Sequence, residues 1–217
     1  MATDAPSRVT RVQRVALLSG IYAILNEEDG VAGRAEAILE AGIRVVQYRP
    51  KSAFRSETLR RLRSLTHRHD ALLILNDDWR RAIEFDCDGV HLGPGDDGFD
   101  GPPAVRAAAK ERLIGLSCST AGEVARAARR DVDYLGVGSV FATSSKADAG
   151  APIGLAGLRA LAARTRIPVA AIGGIGPENL REVRATGVAM AAVISALHAP
   201  DVNEAARRLL RTWAEAG

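Results

Sequence analysis

Residues 43–77 read IRVVQYRPKSAFRSETLRRLRSLTHRHDALLILND. Two short apolar runs, 43–49 and 71–77, flank a helical one. Within residues 56–69, Leu59, Leu62 and Leu65 recur at helical spacing, and Ser56 is a candidate N-cap. The flanking runs are continuous rather than alternating in hydropathy. That pattern marks strands buried on both faces of a parallel sheet.

The same alternation runs along the whole chain. Strand-like runs fall at residues 21–25, 43–49, 71–77, 89–93, 113–118, 134–141, 168–174 and 188–197. Helical patterns fall at 31–41, 56–69, 78–85, 103–110, 121–130, 155–166, 177–186 and 202–214. Gly42 suits a helix C-cap, Thr120 an N-cap and Pro177 a first helical turn. Eight βα units in 217 residues predict one α/β domain. The expected fold is a (β/α)8 TIM barrel over residues 15–217, after a polar lead-in over residues 1–14. A doubly wound sheet also alternates, but usually stops at five or six strands. The stretch 142–151 (ATSSKADAGA) has no apolar period and reads as a mobile loop over the catalytic rim.

Composition narrows the function. Hydrophobic residues make up 47% and charged residues 25%, the balance of a soluble globular protein. No apolar run reaches the ~20 residues of a membrane helix. Arg8, Arg11 and Arg14 ahead of residues 15–25 mimic a signal peptide, but no small-x-small site follows, so the stretch reads as a buried strand. The net charge is +3 and its signs are interspersed; aromatics are only 4%. A nucleic-acid surface would need a basic face with stacking rings. Cys87 and Cys118 form no metal motif and fall at opposite barrel rims, beyond disulfide reach, which suits free thiols in a reducing cytoplasm.

In this fold chemistry sits at the carboxyl ends of the strands. Those ends carry Gln47, Arg49 and Lys51, then Asn76, Asp77 and Asp78, then His91 and Asp96, then Ser117 and Thr120. The sixth strand leads to Thr143, Ser145 and Lys146, the seventh to Gly173 and Gly174, and the eighth to Ile194 and Ser195. Cations and hydroxyls suit phosphates. Asp77 and Asp96 suit one Mg2+, which takes one or two carboxylates with phosphate and water oxygens. Glycine backbone after the seventh strand is a second anion site. Asp77 or Asp78 also suits a helix cap, and His91 on a buried strand suits a packed core histidine. The chain has three lysines, and two of them, Lys51 and Lys146, fall on this rim.

At these residues the chain resembles the thiamine phosphate synthase family. The matching pieces, in order, are QYRPK, LNDD, DGVHLGPGD, IGLSCST, DYLGVGSVFATSSKADA, AIGGIGPEN and VISAL. The resemblance implies a magnesium-dependent transferase of thiamine biosynthesis. It would join hydroxymethylpyrimidine diphosphate to thiazole phosphate, plain or carboxylated, and release pyrophosphate. It implies that Gln47, Tyr48, Arg49, Pro50, Lys51, Asn76, Ser117 and Lys146 bind the pyrimidine diphosphate. Arg49, Lys51 and Lys146 would serve catalysis, and Asp77 and Asp96 would hold Mg2+. Thr143, Ser145, Gly174, Ile194 and Ser195 would bind the thiazole phosphate. The partners implied are phosphorylated small molecules, with monomer or homodimer left undecided.

The chain departs from the family pattern at Pro94, Ser119, Ser139, Ala142 and Ser145. Two alternatives compete: a thiazole tautomerase of the same superfamily, and a regulatory barrel that binds phosphorylated ligands without turnover. The tautomerase would need a His where this chain has Ser119, a side chain with no useful acid or base near neutral pH.

Overall fold

The computed structural model describes residues 10–51, 54–143 and 151–217. Its eight parallel strands are β1 (Gly20–Asn26), β2 (Val45–Arg49), β3 (Leu72–Asn76), β4 (Gly89–Leu92), β5 (Leu113–Cys118), β6 (Tyr134–Val137), β7 (Val169–Ile172) and β8 (Met190–Val193). They pair in chain order, and β8 returns to β1, with Gly20 opposite Met190, to close the barrel. Helix α1 (Arg11–Ala16) precedes the barrel. The helices that follow successive strands are α2 (Val31–Ala41), α3 (Ser56–Arg68), α4 (Trp79–Glu84), α5 (Pro102–Ala109), α6 (Ala121–Ala127), α7 (Gly154–Ala162), α8 (Leu180–Arg184) and α9 (Val202–Ala214). The expected (β/α)8 architecture is the one observed.

Strand geometry sends alternate side chains to opposite faces. Tyr22, Ile24, Val45, Leu72, Ile74, Leu113, Tyr134 and Met190 fill the barrel interior. Val46, Tyr48, Leu73, Leu75, Ile114 and Leu135 face outward, against Ile38, Leu39, Leu59, Leu62 and Leu209 of the helices. Both faces are buried, which is why the strands read as unbroken apolar runs. Interior volume is matched locally. A Cβ on Gly115 would lie 2.1 Å from Cζ of Tyr134, so the glycine makes room for that ring. Both cysteines are free and buried. Burial pushes each thiol up to about 12, which leaves them inert near neutral pH.

Several boundaries differ from the sequence reading. β6 stops at Val137, because Val140 and Phe141 give their N–H groups to the carbonyls of Ile172 and Gly173 at 2.9 and 3.0 Å instead of continuing the strand. β8 stops at Val193, and Ser195–Leu197 forms a 3₁₀ turn. Arg55, not Ser56, holds the cap position of α3 and makes no side-chain capping bond. Pro177 precedes α8 rather than opening it, because Gly176 to Asn179 forms a hydrogen-bonded turn of its own. Thr120 caps α6 as expected, in a capping box with Glu123.

Helix α1 was not anticipated. It opens with a capping box between Thr10 and Gln13. Arg11 Nε reaches Asp133 Oδ1 at 2.5 Å, and Arg14 Nε reaches Asp88 Oδ1 at 3.1 Å. Val15 and Leu18 pack on the interior cluster. Asp88 and Asp133 immediately precede β4 and β6, so α1 closes the amino end of the barrel and leaves the carboxyl end for chemistry. Among the described residues, no helix is long and apolar enough to cross a membrane.

Candidate active site

A cavity of about 530 Å3 occupies the carboxyl end of the barrel. Ten of the site residues that the resemblance implies line it, Gln47, Arg49, Asn76, Asp77, Asp96, Ser117, Thr143, Gly174, Ile194 and Ser195, together with His91 and Gly173 of the same rim. Ser145 and Lys146, with most of the 142–151 loop, lie outside the described residues. Tyr48, Pro50 and Lys51 do not line the cavity. For Tyr48 the cause is strand parity. Gln47 and Arg49 point inward, so Tyr48 points into the helix layer. There its hydroxyl donates to Glu27 and accepts from the Arg55 N–H at 3.4 Å. Lys51 is exposed at the rim just beyond Arg49.

One wall is anionic. After Asn76 the backbone turns through a left-handed Asp77, whose N–H bonds the His91 carbonyl at 2.8 Å. That turn separates the two neighbouring carboxylates. Asp78 caps α4 by accepting from the Arg81 N–H at 2.9 Å, while Asp77 faces the cavity. Asp96 comes from the loop after β4, with its Oδ2 held by the Gly93 N–H at 2.6 Å. Burial, and then hydrogen bonding and charge repulsion from Asp96, push Asp77 up to about 7, despite the opposing charge of Arg49.

The opposite wall is backbone. Gly173 and Gly174 adopt φ of 104° and 64°. A Cβ at Gly174 would lie 2.6 Å from the Ala142 carbonyl oxygen, so the segment from β6 packs directly on these glycines. Asn179 braces the turn, donating to the Gly174 carbonyl at 2.9 Å and accepting from the Gly176 N–H at 3.0 Å. Ile153 and Gly154 bond back to the Ser139 and Val140 carbonyls at 2.9 and 3.0 Å. Both flanks of residues 144–150 are thereby tied to the same strand end.

The floor is polar and was largely missed from sequence. Gln47 Nε2 donates to the Tyr22 hydroxyl at 2.6 Å, and the hydroxyls of Tyr22 and Tyr134 lie 2.9 Å apart. His91 Nδ1 lies 3.1 Å from the Tyr134 hydroxyl, and its Nε2 lies 3.0 Å from Ser117 Oγ. His91 is thus a packed, bonded histidine, as expected, and it also lines the cavity. The signal that could have found this floor lies in the glycines. Gly115 and Gly136 sit where a Cβ would strike the Tyr134 and His91 rings. Ser119, at the position where the tautomerase needs His, is held by Glu123, which accepts from its N–H at 2.6 Å and its hydroxyl at 3.0 Å.

A carboxylate pair facing a glycine anion cradle across one cavity is the pattern that the sequence resemblance implied. Comparison with known proteins decides the family. The family model described as thiamine monophosphate synthase matches residues 21–197. The chain is 43% identical over 197 residues to the thiamine-phosphate synthase of Archaeoglobus fulgidus, covering 88% of this chain and 90% of that one. It is 43% identical over 175 residues to the enzyme of the same name from Moorella thermoacetica, covering 79% and 82%. The solved thiamine phosphate pyrophosphorylase of Pyrococcus furiosus superposes with a TM-score of 0.82 at 36% identity, covering 92% of this chain and 97% of that one. The chain belongs to the thiamine monophosphate synthase family.

That membership gives the two walls a common logic. A hard cation takes one or two carboxylates and completes its shell with phosphate and water oxygens. Asp77 and Asp96, which both line the cavity, could serve as such a donor set. Among the described residues no group of three or more His, Cys, Asp or Glu could hold a metal by itself. The two carboxylates would supply part of a cation's shell, with water or substrate oxygens completing it.

Proposed function

We propose that the protein condenses 4-amino-2-methyl-5-hydroxymethylpyrimidine diphosphate with thiazole phosphate to give thiamine phosphate and pyrophosphate. The observation that carries this reading is the placement of the Asp77 and Asp96 carboxylates beside Arg49, in one cavity with the Gly173–Gly174 backbone turn. In this reading Asp77 and Asp96 hold Mg2+, whose chemistry is to neutralise charge on the diphosphate. Arg49, Lys51, Asn76 and Lys146 bind the same group. Gln47 and Ser117 hold the pyrimidine ring, and Thr143, Ser145, Gly174, Ile194 and Ser195 take the thiazole phosphate.

The bond between the pyrimidine methylene and the diphosphate oxygen breaks, and its electron pair leaves with pyrophosphate. The methylene cation is stabilised by the ring amino group. The thiazole nitrogen then donates its lone pair to the methylene carbon, forming the C–N bond. This route asks for leaving-group neutralisation and positioning rather than a nucleophile with its base. The reading carries cytoplasmic residence with it.

The test is to mix both substrates with Mg2+ and detect thiamine phosphate directly. One pyrophosphate should appear per thiamine phosphate. Binding of both substrates without product would establish a non-catalytic barrel instead. Isomerisation of the carboxylated thiazole phosphate by the protein alone would establish the tautomerase.

The carboxylate pair adds a pH signature. Asp77 titrates at about 7 in the folded protein against an ordinary value of 3.8. The folded state binds more protons than the unfolded chain between those values, so this group's stabilisation is full below about pH 4 and is lost as pH rises towards 7. A cation must displace the proton held on Asp77. The rise in Tm at a fixed, subsaturating Mg2+ concentration should therefore grow from pH 6 to pH 8. A Tm indifferent to Mg2+ at every pH, or a shift of constant size, would refute the assignment.

A further inference from the structure

Five side chains from five strands form one unbroken hydrogen-bonded chain across the cavity floor: Gln47 on β2, Tyr22 on β1, Tyr134 on β6, His91 on β4 and Ser117 on β5. Tyr22 and Tyr134 are fully buried, and burial drives both phenols well above their ordinary range, so each keeps its proton. A phenol has one proton and donates once. Gln47 already gives an N–H to the Tyr22 oxygen at 2.6 Å. The Tyr22 proton then goes to the Tyr134 oxygen, and the Tyr134 proton goes to Nδ1 of His91. An imidazole that accepts at Nδ1 carries its one proton on Nε2, which then donates to Ser117 Oγ. The reverse polarity would leave the Tyr22 proton without an acceptor among these side chains, unless the Gln47 carbonyl, not its N–H, faced Tyr22.

We propose that this chain fixes the hydrogen-bond polarity of the cavity and so selects a 4-aminopyrimidine over a 4-oxopyrimidine. Tyr22 and Tyr134 are positioning residues that act through His91. Ser117, with a lone pair engaged by His91, offers its proton to a ligand. Gln47, with its amide nitrogen engaged by the Tyr22 and Tyr134 hydroxyls, offers its Oε1. One donor and one acceptor complement a ring nitrogen that accepts and an exocyclic amino group that donates. A 4-oxo analogue would set its carbonyl oxygen against Gln47 Oε1, leaving both without a donor. Sites built around a substrate N–H or O–H reject an analogue lacking it by about 10⁴–10⁵. The proposal rests on the cavity being a pyrimidine diphosphate site.

Nitrogen-15 NMR of histidine-labelled, ligand-free protein reads the tautomer directly, with His91→Asn assigning the signal. The parent should show the Nε2–H form, and Tyr134→Phe should admit the Nδ1–H form. In kinetics, Tyr134→Phe should lower kcat/KM for the aminopyrimidine diphosphate about tenfold. It should narrow the amino-over-oxo preference by at least as much while leaving KM for thiazole phosphate unchanged. A general packing defect would move both substrates and the Tm together. An Nδ1–H form in the parent would overturn the proposal without any variant having to fold. So would a Tyr134→Phe protein whose tautomer and substrate preference match the parent within twofold. The tautomer needs no substrate. Lack of turnover with the Nε2–H form in place therefore counts against the functional reading and supports the chain, whereas turnover with the Nδ1–H form counts against the chain alone.

Discussion

Asp77→Asn and Asp96→Asn should each lower kcat for thiamine phosphate formation by about 10²–10³, the scale on which removal of one preorganised group facing developing charge is felt. Stability should move the other way. Without metal at pH 8, Asp77 is charged in a buried position beside Asp96, and that burial, with the Asp96 contact, pushes it up to about 7. An amide at position 77 carries no charge and still offers Asp96 a hydrogen-bond donor, as protonated Asp77 does. The metal-free Tm of Asp77→Asn should hold or rise at pH 8, and its response to Mg2+ should vanish. Misfolding would lower activity and Tm together, so the opposed signs identify the cause. The control is the adjacent carboxylate. Asp78 faces α4 and accepts from the Arg81 N–H, and Asn serves as well at an N-cap. Asp78→Asn should retain parental kcat. Undiminished turnover at limiting Mg2+ in both Asp77→Asn and Asp96→Asn would dismiss the pair as a metal site.

These neighbouring carboxylates also show how far the sequence was legible. The LNDD run places carboxylates after a strand, but only the left-handed turn at Asp77 decides which one enters the cavity and which caps the helix. The eight-fold alternation was readable because each strand is apolar on both faces. That same property hides parity. In QYRPK nothing in local hydropathy separates Gln47, which faces inward, from Tyr48, which faces the helices, so Tyr48 was placed at the ligand and is instead bonded to Glu27. Tyr22 and Tyr134 escaped notice for the same reason. In an all-apolar strand an inward tyrosine looks like packing, and its hydroxyl acquires meaning only beside partners from strands far apart in sequence. Helix α1 has a capping box but no buried residue within its six positions, so it carries no apolar stripe to read. At Gly173 and Gly174 the sequence shows adjacent glycines after a barrel strand, and the close approach of the Ala142 carbonyl to Gly174 accounts for the lack of a side chain there.

Asp133→Ala should be the most destabilising single change away from the cavity. The Asp133 side chain is 1% exposed and binds three groups at once. Its Oδ2 accepts from the Ile114 N–H at 2.7 Å and from Arg106 Nη2 at 2.5 Å, and its Oδ1 accepts from Arg11 Nε at 2.5 Å. It therefore ties the starts of β5 and β6 together and anchors α1 across the amino end of the barrel. Alanine would leave the Ile114 N–H unpaired and take from Arg11 and Arg106 their buried carboxylate, with only the exposed Asp131 as acidic partner. Breaking a buried ion pair from one side costs about 3–5 kcal/mol, against a total stability of about 5–15 kcal/mol. At ~2–4 °C per kcal/mol for a chain of this length, Tm should fall by roughly 6–20 °C. Arg11→Ala should cost less, because Arg11 is 29% exposed and Arg106 still serves the carboxylate. The two losses should not add, since Arg11 has no buried carboxylate left to serve once Asp133 is gone. Asp131→Ala, at a side chain 55% exposed, should change little. The cavity lies at the other end of the strands, so the folded fraction of Asp133→Ala should keep parental KM for both substrates at low temperature. Urea unfolding of Asp133→Ala, Arg11→Ala and the double variant measures each term. An Asp133→Ala protein within about 1 kcal/mol of the parent, the range of an exposed pair, would show that α1 is not held through this carboxylate.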